Sequence, residues 1–238
     1  MEDYKMQKGF FGGVAALILA LTVTGCASTS REDSGEFDRS AEVEQILEGF
    51  EATGLNTPDE RVRVAVGADQ VLNVINDIAV NQRNNVLEYQ AQRENFLDVM
   101  AVAEASGDEV GSDAFFAEVT RFDNENPDNP IMPKVIEYTE AQQGVYASNV
   151  RLAAQIASSS VELASLLQAN AQDVAKAAAA GGIGSLMGGS TDPNENLGAA
   201  LVRARDQLKY TQQARDLIGI EKETIEANLA RQAQLENQ

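Results

Sequence analysis

Histidine and tryptophan are absent from this sequence of 238 residues, and cysteine occurs once. Without histidine the chain lacks Ser-His-Asp and Cys-His catalytic arrangements and histidine-containing zinc sites. A single cysteine excludes an intrachain disulfide. The groups left for chemistry are carboxylates, lysine, tyrosine and serine. We therefore expect a protein that is not an enzyme, with no catalytic residues, no metal ligands and no cofactor.

Aromatic residues are also few, at 5% of the chain, and only five prolines interrupt it. Hydrophobic residues still make up 44%, which is enough to bury a core in a chain of this length. Alanine, leucine, glutamine, glutamate and valine dominate, and most of them favour helices over sheets. The composition predicts an all-α fold.

Positive charge is scarce, because 18 lysines and arginines face 37 acidic residues and the formal net charge is −19. Such a surface repels phosphate backbones and keeps a protein soluble. Nucleic acid is therefore excluded as a partner.

The one long uncharged apolar run lies at the start, in residues 9–25, GFFGGVAALILALTVTG, after Lys5 and Lys8. This run is shorter than the roughly 20 residues of a membrane-spanning helix and ends in small residues, as secretion signals do. The only cysteine, Cys26, follows it directly. The tetrad Val23-Thr24-Gly25-Cys26 resembles the lipobox of bacterial lipoproteins, a resemblance limited to residues 1–27.

The resemblance implies that diacylglycerol is attached to the Cys26 thiol, that the chain is cut before this residue, and that the new amine is acylated. Two or three acyl chains hold a protein on a membrane almost permanently. In that family a residue other than Asp after the cysteine directs the protein to the outer membrane, so Ala27 implies the periplasmic face of that membrane. An uncleaved anchor helix is the alternative, and translation from Met6 would give a more basic start to the signal.

The sequence then divides into a signal peptide at residues 1–25, a lipidated and disordered tether at 26–40, and a helical domain at 41–238. Within that domain we predict a short helix at 41–51 and a second one around 113–122, whose phenylalanines either fill the end of a bundle or form a partner-binding knob. Thr57-Pro58-Asp59-Glu60 has the residues of a helix start.

Apolar residues at alternating three- and four-residue steps predict three long helices, at about 58–107, 134–180 and 195–235. The first would contain about 48 residues and extend about 70 Å. Joined by two interruptions, they predict an up-down-up antiparallel bundle with coiled-coil-like packing.

The uncharged, glycine-rich stretch 181–191 is predicted to be a loop between the second and third long helices. It is either a flexible connector or a tip at which Ile183, Leu186 and Met187 touch a membrane or a partner. The segment Asp123–Asn129 is rich in oxygen ligands but lacks the glycine and terminal glutamate of an EF-hand, so we interpret it as a solvated turn.

Four amides, Gln82, Asn85, Gln142 and Asn149, interrupt the apolar stripes. Buried amides must be hydrogen-bonded, and in coiled coils they often fix register. We predict that role here, and expect from the sequence alone that Asn149→Leu raises thermal stability.

These features favour a lipid-anchored structural spacer or adaptor in an envelope or secretion assembly, with other envelope proteins as partners. The long stripes also leave room for homo-oligomerisation. The alternative is a carrier that holds an apolar ligand between its helices, in a cavity among the small residues at 153–160 and 171–180.

Overall fold

Helices account for most of the chain in a computed structural model that describes residues 39–57, 60–176 and 192–236. Seven helices lie wholly within these ranges: α1 Ser40–Ala52, α2 Ala68–Asn95, α3 Leu97–Ser106, α4 Asp113–Glu125, α5 Met132–Ala169, α6 Leu197–Gly219 and α7 Glu221–Glu236. The described residues contain no strand. The all-α prediction is confirmed, and so are the two short helices, α1 and α4.

The first long helix begins later than the sequence predicted. The backbone N–H and hydroxyl of Thr57 do donate to the Glu60 carboxylate, over 3.1 and 3.0 Å, yet α2 starts only at Ala68. Side chains of α2 hold the intervening backbone instead. Asp69 accepts the N–H groups of residues 64 and 65, and Asn73 pairs with both backbone groups of residue 62.

The structure also divides each of the three predicted long helices. Phe96 has non-helical dihedral angles and separates α2 from α3. Asn170 ends α5, its side-chain amide donating to the Leu166 carbonyl, and residues 171–176 are helical again. Ile220 separates α6 from α7 although its dihedral angles remain right-handed. Several short segments can follow the core more closely than one straight rod would.

Helices α2, α5 and α6 pack against one another, with α1 lying across α2 and α6. Gln82 of α2 bonds to Asn149 of α5, and just past the end of α2 the ring of Phe96 lies 5.6 Å from that of Tyr138. The numbering rises along α2 as it falls along α5, so these two helices run in opposite directions. Helix α7 continues along the first half of α5, and α3 packs on α4.

Three apolar clusters fill the interior. The first joins the start of α2 to the second half of α5 and the start of α6. The second lies under α1, where Gly49 packs on the ring of Tyr210 so closely that any side chain at residue 49 would overlap it. The third joins α3, α4 and the start of α5, with Phe115 fully buried and Phe116 9% exposed. The phenylalanines of α4 thus fill the end of the helical packing, as one of the two interpretations predicted.

Across the described ranges, no helix combines the length and the hydropathy needed to cross a membrane.

Candidate functional site

The site residues predicted from the sequence lie outside the described residues. This applies to Cys26 with Val23, Thr24 and Gly25, and to the proposed tip residues Ile183, Leu186 and Met187. Their roles remain predictions.

A buried ion-pair cluster lies where the chain enters the helical domain. Arg39 is 6% exposed and donates to the carboxylates of Glu221 and Glu109, over 3.0 Å in each case. Glu221 is 3% exposed and also accepts the hydroxyl hydrogen of Tyr89 at 2.9 Å. Buried charges are tolerated when they are paired and hydrogen-bonded in this way. The cluster joins the first described residue to three separate parts of the fold.

Three members of the cluster are positioned by helices, whereas Glu109 lies in the loop before α4. Arg39 directly precedes α1, and Glu221 is the first residue of α7, placed by the break at Ile220. Tyr89 lies on the buried face of α2. The sequence assigned Arg39 and Ser40 to the tether, but Ser40 begins α1 and Arg39 is buried in the fold. Nothing in the polar segment around Arg39 indicates this, because its partners Tyr89, Glu109 and Glu221 are 50, 70 and 182 residues away.

The charges and the low exposure shift the pKa values in this cluster. Burial opposes the charge on Arg39, but Tyr89, Glu221 and Glu109 outweigh it and raise the pKa of the guanidinium. Burial, followed by the negative charge of Glu221, raises the pKa of Tyr89 to about 12. Tyr89 is therefore a neutral donor at ordinary pH, and Arg39 keeps its charge.

A cavity of about 390 Å³ opens beside the cluster. Its wall is mixed, with the apolar side chains Val43, Leu97, Met100 and Val110 and the charged side chains Arg93 and Glu104 among its lining residues. A volume of this size is within the range of small-molecule sites.

Tyr138 in this wall is 1% exposed, and its hydroxyl has no hydrogen-bond partner among the described residues. Burial and the charge of Glu221 raise its pKa, and Arg93 lowers it, so this hydroxyl lies within electrostatic reach of both. An unpaired buried hydroxyl costs free energy that a bound acceptor atom would recover. The cavity therefore has one unused donor.

The amides that the sequence singled out lie at the centre of the bundle. Gln82 donates to Asn149 at 2.7 Å, and Asn149 donates to the backbone carbonyl of Arg215 at 3.0 Å. Asn85 contributes a longer bond of 3.4 Å to Gln82. These bonds connect α2, α5 and α6, so the predicted pairing is confirmed for three amides. The buried amide of Gln142 has no partner among the described residues.

A second buried polar group attaches two loops to the helices. Asn56 exchanges two backbone–amide bonds of 2.9 Å with Asn76, and Arg203 donates to the side-chain oxygens of Asn56 and Asn194. Gln207 completes the group by donating to Asn76 at 3.1 Å. Burial lowers the pKa of Arg203. All members are engaged with one another, so the group holds structure rather than presenting free chemistry.

Among the described residues, no group of three or more acidic or cysteine side chains is placed to hold a metal ion. Asp123 belongs to the oxygen-rich segment but lies in the last turn of α4; it accepts the backbone N–H of Ile131 at 2.6 Å and so closes the loop before α5.

Comparison with known proteins identifies no family for this chain. No protein-family model, no curated protein and no solved structure matches this chain.

Proposed function

We propose that this protein is a lipid-anchored helical spacer or adaptor on the periplasmic face of a bacterial outer membrane. Two features support this. The lipobox-like tetrad supplies an attachment point at Cys26, and the ion-pair cluster around Arg39 fixes the end of the intervening segment to the helices.

The connection at Arg39 is the observation that carries the proposal. Residues 27–38 separate it from the lipidated cysteine, and fully extended they reach about 40 Å. Beyond them the chain is held by buried bonds from Arg39 to the start of α7 and to the loop before α4. Removing one partner of such a pair is strongly unfavourable. A pull on the lipid would therefore act on the whole packed domain.

We propose further that the helices act as three stiff rods in an up-down-up bundle, namely α2 with α3, α5, and α6 with α7. Helix α5 alone has 38 residues and is about 57 Å long at 1.5 Å per residue. Rods of this length would present contact surfaces well away from the membrane, as a spacer or adaptor requires.

The anchor is tested by metabolic labelling with a fatty-acid probe. Wild-type protein should take up the label and fractionate with membranes, whereas Cys26→Ser should lose both properties. Ser28→Ala, two residues away in the tether, is the matched control and should retain them. Equal labelling of the Cys26→Ser chain, or a mature N-terminus at any other residue, would remove the basis of the proposal.

The adaptor role is tested by crosslinking in intact cells. Lysine- and carboxylate-reactive reagents should join the wild-type protein to defined envelope proteins, and these products should diminish in the Cys26→Ser strain. If wild-type protein yields only crosslinks within itself or between its own copies, it does not act as an adaptor.

A second candidate function is a carrier for a ligand with an apolar body, favoured by the cavity and the unpaired hydroxyl of Tyr138. From the sequence we expect such a cavity near residues 153–160. In the structure Ala154 and Ala157 are exposed on the outside of α5, and the described cavity lies beside α3 and α7 instead. Residues 177–180, the end of the other expected wall, lie outside the described residues.

Mass spectrometry of gently purified protein tests the carrier. A co-purified amphipathic molecule that is depleted at least about tenfold in Tyr138→Phe, but not in the control Tyr146→Phe, would establish it. An empty wild-type protein, or equal occupancy in both variants, would exclude it.

A further inference from the structure

The outer face of α5 differs from the rest of the surface. From residue 144 to residue 168 the only charged residues are Arg151 and Glu162, in a chain with 23% charged residues. Val150 and Val161 project outwards with exposed fractions of 51% and 69%. Its other exposed residues are small or uncharged, including the polar Gln155 and Ser158, so the face carries little charge and is neutral as a whole.

The opposite side of the same helix is fully used. Leu152, Ile156 and Leu163 belong to the apolar cluster shared with α2 and α6. The residues on the outward side, including Arg151 and Glu162, are exposed. Neither of these charged side chains forms an ion pair with a described residue. The face thus has two exposed valines, several small uncharged residues and two charges that the described fold does not pair.

We propose that this face binds the same face of a second copy, with the two α5 helices antiparallel about a twofold axis near residue 156. Arg151 and Glu162 are 11 residues apart, or about three helical turns, so they lie on the same flank. A twofold axis midway between them places Arg151 of each copy opposite Glu162 of the other. Self-complementary patches of this kind are the usual basis of twofold dimers.

The apolar residues follow the same symmetry. Val150 of one copy lies opposite Val161 of the other, on the second flank of the face. Between them Ala154 lies opposite Ala157, and such small side chains let two helices approach closely. All these pairs are centred within one residue of the same axis.

Charge explains why a second copy would use this face. With a net charge of −19, two copies repel each other over most of their surface. The face on α5 carries one positive and one negative charge, so it adds no repulsion, and the antiparallel arrangement turns those charges into two symmetric ion pairs. A parallel twofold arrangement would instead bring the charged flank of each copy against the valine flank of the other, so neither ion pair could form.

Charge reversal with sedimentation analysis tests the dimer. Arg151→Glu and Glu162→Arg are each expected to raise the dissociation constant at least about tenfold, which corresponds to about 1.4 kcal/mol. The chain that carries both reversals restores the pairing in the opposite sense and should return to within about threefold of wild type. Arg63→Glu is the matched control, because it changes an exposed arginine by the same charge in the loop before α2 and should leave dimerisation unchanged.

A cysteine scan locates the axis. Ala157→Cys lies beside the axis and should form a disulfide-linked dimer under mild oxidation. Ala147→Cys lies on the same face, but the antiparallel arrangement places it about 28 Å from its own copy at 1.5 Å per residue, so it should not. Lipid on Cys26 blocks its thiol, and in protein prepared without the lipid any dimers formed through Cys26 appear equally in the parent chain and are subtracted.

Three outcomes would overturn the inference. One is a full-length protein that stays monomeric, with a dissociation constant weaker than about 1 mM. Another is a double reversal no better than the single ones. The third is equal crosslinking at residues 147 and 157. Circular dichroism of each variant ensures that a negative result reflects association and not unfolding.

Discussion

Replacing Arg39 with methionine tests whether the ion-pair cluster holds the start of the helical domain. Methionine keeps an unbranched apolar stem like that of arginine but removes the guanidinium. Glu221, which is 3% exposed, would then retain only the hydroxyl of Tyr89 as a described partner. Glu109 matters less, because its side chain is 44% exposed and water can replace the lost bond.

The expected cost follows from this burial. Removing one partner of a buried ion pair typically lowers the free energy of unfolding by about 3–5 kcal/mol. For a chain of this size, that corresponds to a melting temperature lower by roughly 6–20 °C. The matched control is Arg61→Met, which breaks an ion pair with Asp77 whose side chains are 37% and 46% exposed. It should cost no more than about 1 kcal/mol.

Urea unfolding followed by circular dichroism at pH 7 measures both variants. In the Arg39→Met background, the further change Glu221→Gln should recover at least about 1 kcal/mol, because a neutral amide is less costly to bury than an unpaired carboxylate. The reasoning is refuted if Arg39→Met costs no more than Arg61→Met, or if the second change gives no recovery.

Three further predictions concern the interior. The pKa of Tyr89 is raised to about 12, and that of Tyr138 is raised as well. The folded chain therefore holds these two protons more tightly than the unfolded chain does, which stabilises the fold. This contribution to the free energy of unfolding should be complete below about pH 10 and lost as the pH rises towards about 12. Unfolding curves and tyrosine absorbance across that range check it, and stability independent of pH there would contradict it. Asn149→Leu should lower the free energy of unfolding by about 1–3 kcal/mol, because Gln82 loses its acceptor; a urea midpoint at or above that of wild type would show that the pairing contributes nothing. Phe115→Ala should cost about 3–5 kcal/mol, because the ring is fully buried, and a loss below 1 kcal/mol in the same assay would place this ring outside the core.

The Asn149 prediction reverses the sign expected from the sequence. An amide on an apolar stripe suggests that leucine would pack better. In the structure the amide both accepts a hydrogen bond from Gln82 and donates one to the carbonyl of Arg215. Its removal leaves a buried donor without a partner, which costs more than the gain in apolar contact.

The predicted helix boundaries were wrong for a similar reason. Periodicity located the long helical stretches well, because it reports which positions are buried. It could not show that Asp69 and Asn73 would use their side chains to hold residues 62–65 in a loop. Side chains that bond to a nearby backbone compete with helix formation, and the outcome depends on what else packs there.

The candidate site was still less predictable. The cavity and the ion-pair cluster are assembled from α1, α2, α3, α5 and α7 together with the loop before α4. No local signal distinguishes Arg39 from the polar residues before it, or Tyr138 from any other apolar position on α5. The exposed face of α5 could be predicted only in part. The sequence shows that this stretch has few charges, but it does not show that the face is exposed.

The sequence by itself determined the helical class, the two short helices and many of the buried positions, because these depend on composition and on the 3.6-residue period; Leu97, on a predicted stripe, is 66% exposed. It also carries the prediction of lipid attachment, which rests on neighbouring residues alone. Tertiary structure decided where the rods break, which polar groups meet, and which face of α5 is left exposed. Those properties depend on residues far apart in the chain, and only folding brings them within hydrogen-bonding or packing distance.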